Sequence, residues 1–165
     1  MQEGKGVGVI VFDKDGWRFN YRVAGILFDS RRVLLEREIK SGDCCLPGGR
    51  VEFGEPASEA LVREMHEELG VEVKIARLVW AVDNFFQMDG RRYHELSFYF
   101  LVSLPEARAL TQGESFANQG TTRTVLQWYA LGGLDEVPLY PIFLRSGLQT
   151  LPSDAVYMVH RDTPL

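Results

Sequence analysis

A helix-on-sheet fold, α+β or α/β, is the class this sequence predicts, and three observations predict it. Apolar and alternating runs precede one amphipathic helix, several more follow it, and a second helical pattern stands near the carboxyl end. Strands on both sides of a central helix build a sheet layered with helices. The 165 residues are 45% apolar and 12% aromatic, enough for one packed core, so residues 1–165 are read as one domain.

Val7 to Phe12 and Phe19 to Phe28 read as strands joined around Asp13 to Gly16, where an Asp-Gly pair signals a turn. Arg32 to Arg37 adds a third short strand. Ser41 to Glu55 is glycine-rich and contains Pro47, which predicts a loop. Pro56 suits a first helical position, and the helix runs to about Leu69, with Gly70 as its left-handed stop. Val71 to Gln87 is β-rich, and Met88-Asp89-Gly90 is a turn.

The clearest strand runs from His94 to Ser103: Leu96, Phe98, Phe100 and Val102 share one face, and Glu95, Ser97, Tyr99 and Leu101 share the other. Leu104 to Asn118 contains Pro105 and room for a short helix. Thr124 to Leu131 reads as a strand. Leu139 to Leu148 reads as a closing helix, with Pro138 and Pro141 near its start and Gly147 near its end. The ends, before Val7 and after Leu151, are expected to fray.

A net charge of -5 and a pI near 5.2 argue against broad binding to duplex nucleic acid, which needs a basic surface. Cys44 and Cys45 are adjacent and are the only cysteines. Without a CxxC spacing they read as reduced residues of a cytoplasmic protein. The apolar run before Asp13 is too short for a signal peptide, and no stretch approaches the roughly 18 apolar residues of a membrane span.

Chemistry concentrates in GRVEFGEPASEALVREMHEELGV, Gly49 to Val71. At about 100° per residue, Glu64, Glu67 and Glu68 fall within about 100° of helical arc, on the shoulder of the apolar face. Like charges three and four residues apart oppose one another by a few tenths of a kcal/mol, and partial burial raises that cost. A hard divalent cation with oxygen ligands removes the conflict. Arg63 lies four residues from both Glu59 and Glu67 and can pair with each.

The same stretch resembles the Nudix box, G-x5-E-x7-R-E-U-x-E-E-x-G-U with U aliphatic, at every defined position: Gly49, Glu55, Arg63, Glu64, Met65, Glu67, Glu68, Gly70 and Val71. Met65 is the loosest match. The resemblance implies an α/β/α sandwich with a mixed, partly curled β-sheet. It also implies that Glu64, Glu67 and Glu68 bind Mg2+, with Mn2+ as a substitute and the Gly49 carbonyl as a further donor. Arg63 and Glu55 are then supports that hold the loop against the helix, and Gly48, Gly49 and Gly54 allow sharp turns and close approach.

Some members of that family carry a metal-binding or water-activating glutamate on a strand comparable to that of Glu95, so Glu95 is expected to face the metal cluster. A solvent-facing Glu95 is the competing reading, because Ser97 and Tyr99 beside it tolerate water. His94 is expected to be a hydrogen-bonded structural residue. Glu52, Glu114, Asp135 and Glu136 are weaker candidates for a base. Among Arg22, Arg37, Arg50, Arg91 and Arg92, the first two are favoured for phosphate because they lie on strands leading to the box. Phe85, Phe86, Tyr93, Trp128 and Tyr129 are the aromatic residues available to stack a base.

The function so implied is a Mg2+-dependent pyrophosphohydrolase. Its substrate is a nucleoside diphosphate linked to another group, like a nucleotide sugar or ADP-ribose, or a nucleoside triphosphate. The alternative is a catalytically silent domain that senses a nucleotide and regulates a partner. A nucleotide-type small molecule is the expected partner; duplex DNA and membrane are not, and a homodimer is left open.

Overall fold

The computed structural model describes residues 8–105 and 115–162. β1 (Val11–Lys14) and β2 (Trp17–Asp29) form a hairpin that closes at the Lys14 and Trp17 pair. Its loop is Asp15-Gly16 alone, with φ of 50° and 78°. Two successive positive φ values match the twist of paired strands. Asp13, expected in the turn, therefore sits in β1 and accepts a 2.8 Å bond from Arg18.

Next come β3 (Arg32–Glu38), β4 (Cys44–Cys45), β5 (Gly48–Arg50) and the central helix α1 (Ala57–Leu69). β6 (Lys74–Met88) and β7 (Arg91–Ser103) form a second hairpin around Asp89-Gly90, again with φ above zero at both residues. β8 (Ser115–Ala117), β9 (Thr124–Ala130), a 3-10 turn at Leu131–Glu136, the short helix α2 (Leu144–Gly147) and β10 (Val156–Arg161) follow.

The main path of the sheet is β10-β6-β7-β2-β3-β9-β8. It is mixed: β2 with β7 and β10 with β6 are parallel, and the other pairs are antiparallel. β2 organises it. One edge of β2 follows β7 from Trp17 to Leu27, while the other changes partner from β1 to β5 to β3. That change brings the Gly48–Arg50 backbone into the sheet beside α1.

Alternation along β2 separates two cores. Val23 and Leu27 face α1 and pack with Leu61, Met65, Leu69, Phe100 and Val102. Ala24 and Ile26 face the other way, toward Leu134, Leu144 and Leu148 of the 3-10 turn and α2, with Trp80 and Tyr99. Each fully buried Leu or Met contributes about 1.5–3 kcal/mol. Helical elements thus cover both faces of a mixed sheet, as an α/β/α sandwich requires.

Several boundaries differ from expectation. Pro56 precedes the helix as its cap, with extended backbone, and α1 begins at Ala57. The Ser41 to Glu55 loop contains β4 and β5, because backbone groups there pair with β3 and β2. The closing helix shrinks to Leu144–Gly147: the backbone of Pro138 and Tyr140 bonds Cys44 on β4 instead, which holds Leu139 extended, and Leu144 and Arg145 bond only three residues back, to Pro141 and Ile142. Val156–Arg161, expected to fray, instead form β10, which pairs along β6 from Trp80 to Phe85. Val7, the segment before it, Glu114 and most of the Leu104 to Asn118 segment, which has room for a short helix, lie outside the described residues. No helix is long and apolar enough to cross a membrane among the described residues.

Candidate active site

α1 presents its carboxylates to β5, and glycine makes the approach possible. A Cβ on Gly48, whose φ is 149°, would overlap the Val23 backbone; a Cβ on Gly49 would overlap the Glu64 carboxylate. Gly70 ends the helix with φ 70° and donates to the His66 carbonyl at 2.8 Å.

The three carboxylates occupy different surroundings. Glu64 accepts a 2.8 Å bond from Arg63 Nη1, and burial raises its pKa against the pull of Arg63. Glu67 is exposed and lies 3.4 Å from the same nitrogen. Glu68 is buried and accepts the Gly48 N–H at 3.2 Å. Burial first, and the nearby Glu36 carboxylate second, push the Glu68 pKa up to about 8. Arg63 also forks onto Glu55, with contacts of 2.7 and 3.2 Å, and donates to the Arg50 carbonyl at 3.1 Å. It turns to Glu55 and Glu64 instead of Glu59, and Glu55 in turn accepts the Glu52 N–H at 2.8 Å. Arg63 therefore ties the loop carrying Glu52 and Glu55 to the helix.

The donor set suits a hard cation: carboxylates at Glu64, Glu67, Glu68 and Glu36, beside glycine backbone where no side chain intervenes. Glu68 is buried, and the half-buried Glu36 carboxylate beside it opposes its charge more than the nearby Arg22 guanidinium favours it; a divalent ion relieves that. The side chains are drawn apart by Arg63 and Gly48, and no three His, Cys, Asp or Glu residues converge at ligating distance among the described residues. Rotation about the glutamate side-chain bonds is needed to gather them.

Beside this edge lies a cleft of about 550 Å³. Gly49, Glu64 and Arg50 line one end, Arg22, Cys45 and Tyr99 the middle, and Asn20, Asn84, Glu95, Phe86 and Tyr93 the other. Arg22 donates to the Leu46 carbonyl at 3.2 Å. Burial opposes its charge, yet the neighbouring Glu95 and Glu36 carboxylates hold it protonated. The Cys45 thiol is pushed up to about 12 by burial and is neutral.

Other expected residues are distributed unevenly. Glu95 is 8% exposed and faces the cleft, which overturns the solvent-facing reading. Its bonding partners are Ser97 at 2.8 Å and Asn20 at 3.5 Å, not the helix carboxylates. Arg37 is not brought to the cleft: it lies one residue beyond Glu36 on β3, so it points to the opposite face and donates to Gln127 at 3.3 Å. His94 bonds Asp83 at 2.8 Å. Trp128 packs in the α1 core, whereas Phe86 and Tyr93 stack with centroids 4.7 Å apart.

Sequence reasoning missed Glu36, Asn20 and Asn84. The available signal was polarity at inward strand positions: Glu36 is in phase with buried Leu34, Asn20 with Ala24, and Asn84 with Val82.

This architecture defines a sandwich whose helix edge presents acidic oxygens to a sheet cleft. The NUDIX domain model matches residues 18–142, and the chain belongs to the Nudix family. Among its relatives, an RNA pyrophosphohydrolase of Ruthia magnifica subsp. Calyptogena magnifica is 31% identical over 51% of this chain and 46% of that protein. The uncharacterised Nudix hydrolase YvcI of Bacillus subtilis is 27% identical over 70% of this chain and 69% of its own length. The crystal structure of a mutator MutT protein from Bacillus halodurans shares the fold, with a TM-score of 0.62, 21% identity, and 86% and 89% coverage of this chain and of that one. The chain spans 46%, 23% and 30% of the length of three of the curated relatives it matches.

Proposed function

We propose that this chain is a divalent-cation-dependent pyrophosphohydrolase. Its substrate would be a nucleoside diphosphate linked to another group, or a nucleoside triphosphate. The complete box carries this reading, with Glu64 against Gly49 and Glu68 bonded to the Gly48 N–H, beside a cleft that Glu64, Gly49 and Arg22 line. The name of the RNA pyrophosphohydrolase relative agrees with diphosphate chemistry.

Glu64, Glu67 and Glu68, with the Gly49 carbonyl, would hold the ion, and Glu36 supplies a fourth carboxylate near Glu68. When bound, Mg2+ or Mn2+ supplies charge neutralisation for the diphosphate and polarisation of the attacking water. The chain does the rest by positioning. Arg63 fixes the orientation of Glu64 and Glu67 while holding the Glu55 loop to α1. The Gly48 N–H anchors Glu68. Arg22 presents permanent positive charge to a phosphate in the cleft. A silent sensor domain is disfavoured, because a binding module has no need of the full carboxylate set.

Release of phosphate or a nucleoside monophosphate from a nucleotide panel tests the reading. Turnover is expected with Mg2+ and not with EDTA. Equal rates in both, or no product from any member with Mg2+ or Mn2+, would overturn it.

A further inference from the structure

Three buried polar side chains lie in one row across the floor of the cleft. Glu95 on β7 is the register partner of Asn20 on β2 and of Asn84 on β6, so the three stand side by side at strand spacing, about 4.8 Å per step. They are 8%, 5% and 2% exposed. Asn20 Oδ1 and Asn84 Oδ1 are buried without a hydrogen-bond partner. Each such group costs on the order of 1–3 kcal/mol, and unsatisfied buried groups in a cleft call for an occupant.

What the row offers is acceptors. Asn20 turns its amide NH2 to Glu95 Oε2, which leaves its carbonyl oxygen free. Ser97 donates to Glu95 Oε1 and fixes that carboxylate from the side. A carboxylate has about four acceptor sites, so Glu95 retains capacity after these two bonds. A cation is a poor occupant of this row, because the Arg22 guanidinium already lies in the same cleft and two donors already serve Glu95.

Resting on the nucleotide reading above, we propose that the Asn20–Glu95–Asn84 row binds the base of the substrate by its N–H donors, and that the base it fits is guanine. On its pairing edge guanine carries adjacent donors, N1–H and the 2-amino group, which together meet a carboxylate bidentately and leave one N–H for an asparagine oxygen. Adenine and cytosine set an acceptor nitrogen next to their amino group, and that lone pair would face Glu95. Uracil has one donor between two carbonyls. The walls agree: Phe86 and Tyr93, two register steps from Asn84 and Glu95, form an aromatic stack, and Arg22 lies two residues from Asn20 the other way, toward Gly49 and Glu64. The cleft thus has a base end and a phosphate end.

The test is calorimetric binding of GMP, IMP, AMP, CMP and UMP to the unmodified chain in EDTA, where no phosphoanhydride is present and no metal is needed. GMP should bind at least about tenfold more tightly than AMP, CMP and UMP, and IMP, which lacks the 2-amino group, should lose about tenfold against GMP, in line with one good bidentate pair. Asn84→Leu and Glu95→Gln should erase the ranking while AMP affinity changes less than about threefold. Equal affinities, or a preference for another base, would overturn the proposal, as would Mg2+ binding that Asn84→Leu abolishes. The ranking needs no variant, so a variant that fails to fold does not remove the test. A guanine ranking in a chain that hydrolyses nothing would defeat the hydrolase reading alone, and Mg2+-dependent hydrolysis without base preference would defeat this proposal alone.

Discussion

Glu64, Glu67 and Glu68 share an arc of α1 yet have unequal exposure, and that inequality sets what each substitution should do. Glu67 is half exposed and held at 3.4 Å by Arg63, so Glu67→Gln should leave circular dichroism unchanged and cut turnover by about 100-fold or more, as for loss of a key electrostatic stabiliser. Glu68→Gln should lower turnover as far. It should not destabilise the fold, because its burial penalises the charged form. Near-normal turnover in both would remove the helix edge from the chemistry. Arg63→Lys keeps the charge and loses the fork that spans Glu55 and Glu64; the prediction is a higher Mg2+ requirement with the same products, read from Mg2+ titrations of turnover. At this scale the box glutamates were legible because helical periodicity is local. Glu36, Asn20 and Asn84 carry only the weaker signal of polarity at inward strand positions, and their roles arise only when the fold brings Glu36 near Glu68 and strand register sets Asn20 and Asn84 beside Glu95.

Elements differ in the same way. α1 and the two Asp-Gly hairpins follow from neighbouring residues, and their positions were readable to within a residue or two. β10 was not readable: its exposed Val156, Tyr157 and Val159 gain strand geometry only from β6, more than seventy residues earlier in the chain. The Leu139 to Leu148 segment kept its apolar spacing, but its helix shrank to Leu144–Gly147 because the backbone around Leu139 pairs with Cys44. α1 is held by side chains that reach into the sheet, Met65 most directly, since its sulfur would contact a Cβ on Gly25 at 3.2 Å. Met65→Ala should cost about 2–5 kcal/mol and lower the melting temperature by about 5–15 °C, measured by thermal denaturation. Gly48→Ala forces a side chain into the β2 backbone at φ 149°. It should reduce the soluble, folded yield, with a cost of at least about 1–3 kcal/mol from the backbone conformation alone.

Across the whole molecule, the change of partner along one edge of β2 joins the two halves of the proposed machinery. It admits β5 beside α1, which sets glycine backbone under the carboxylates, and it leaves the β2, β7 and β6 floor open to a ligand. In the proposed hydrolase the α1 edge holds a divalent cation through Glu64, Glu67 and Glu68. Mn2+ binding followed by electron paramagnetic resonance tests it most directly, with the unmodified chain, Glu67→Gln and Glu68→Gln compared at equal concentration. The unmodified chain should bind Mn2+, Mg2+ should compete, and each variant should weaken binding by at least about tenfold while its circular dichroism is retained. Unchanged Mn2+ affinity in both folded variants would show that Glu67 and Glu68 do not hold the ion.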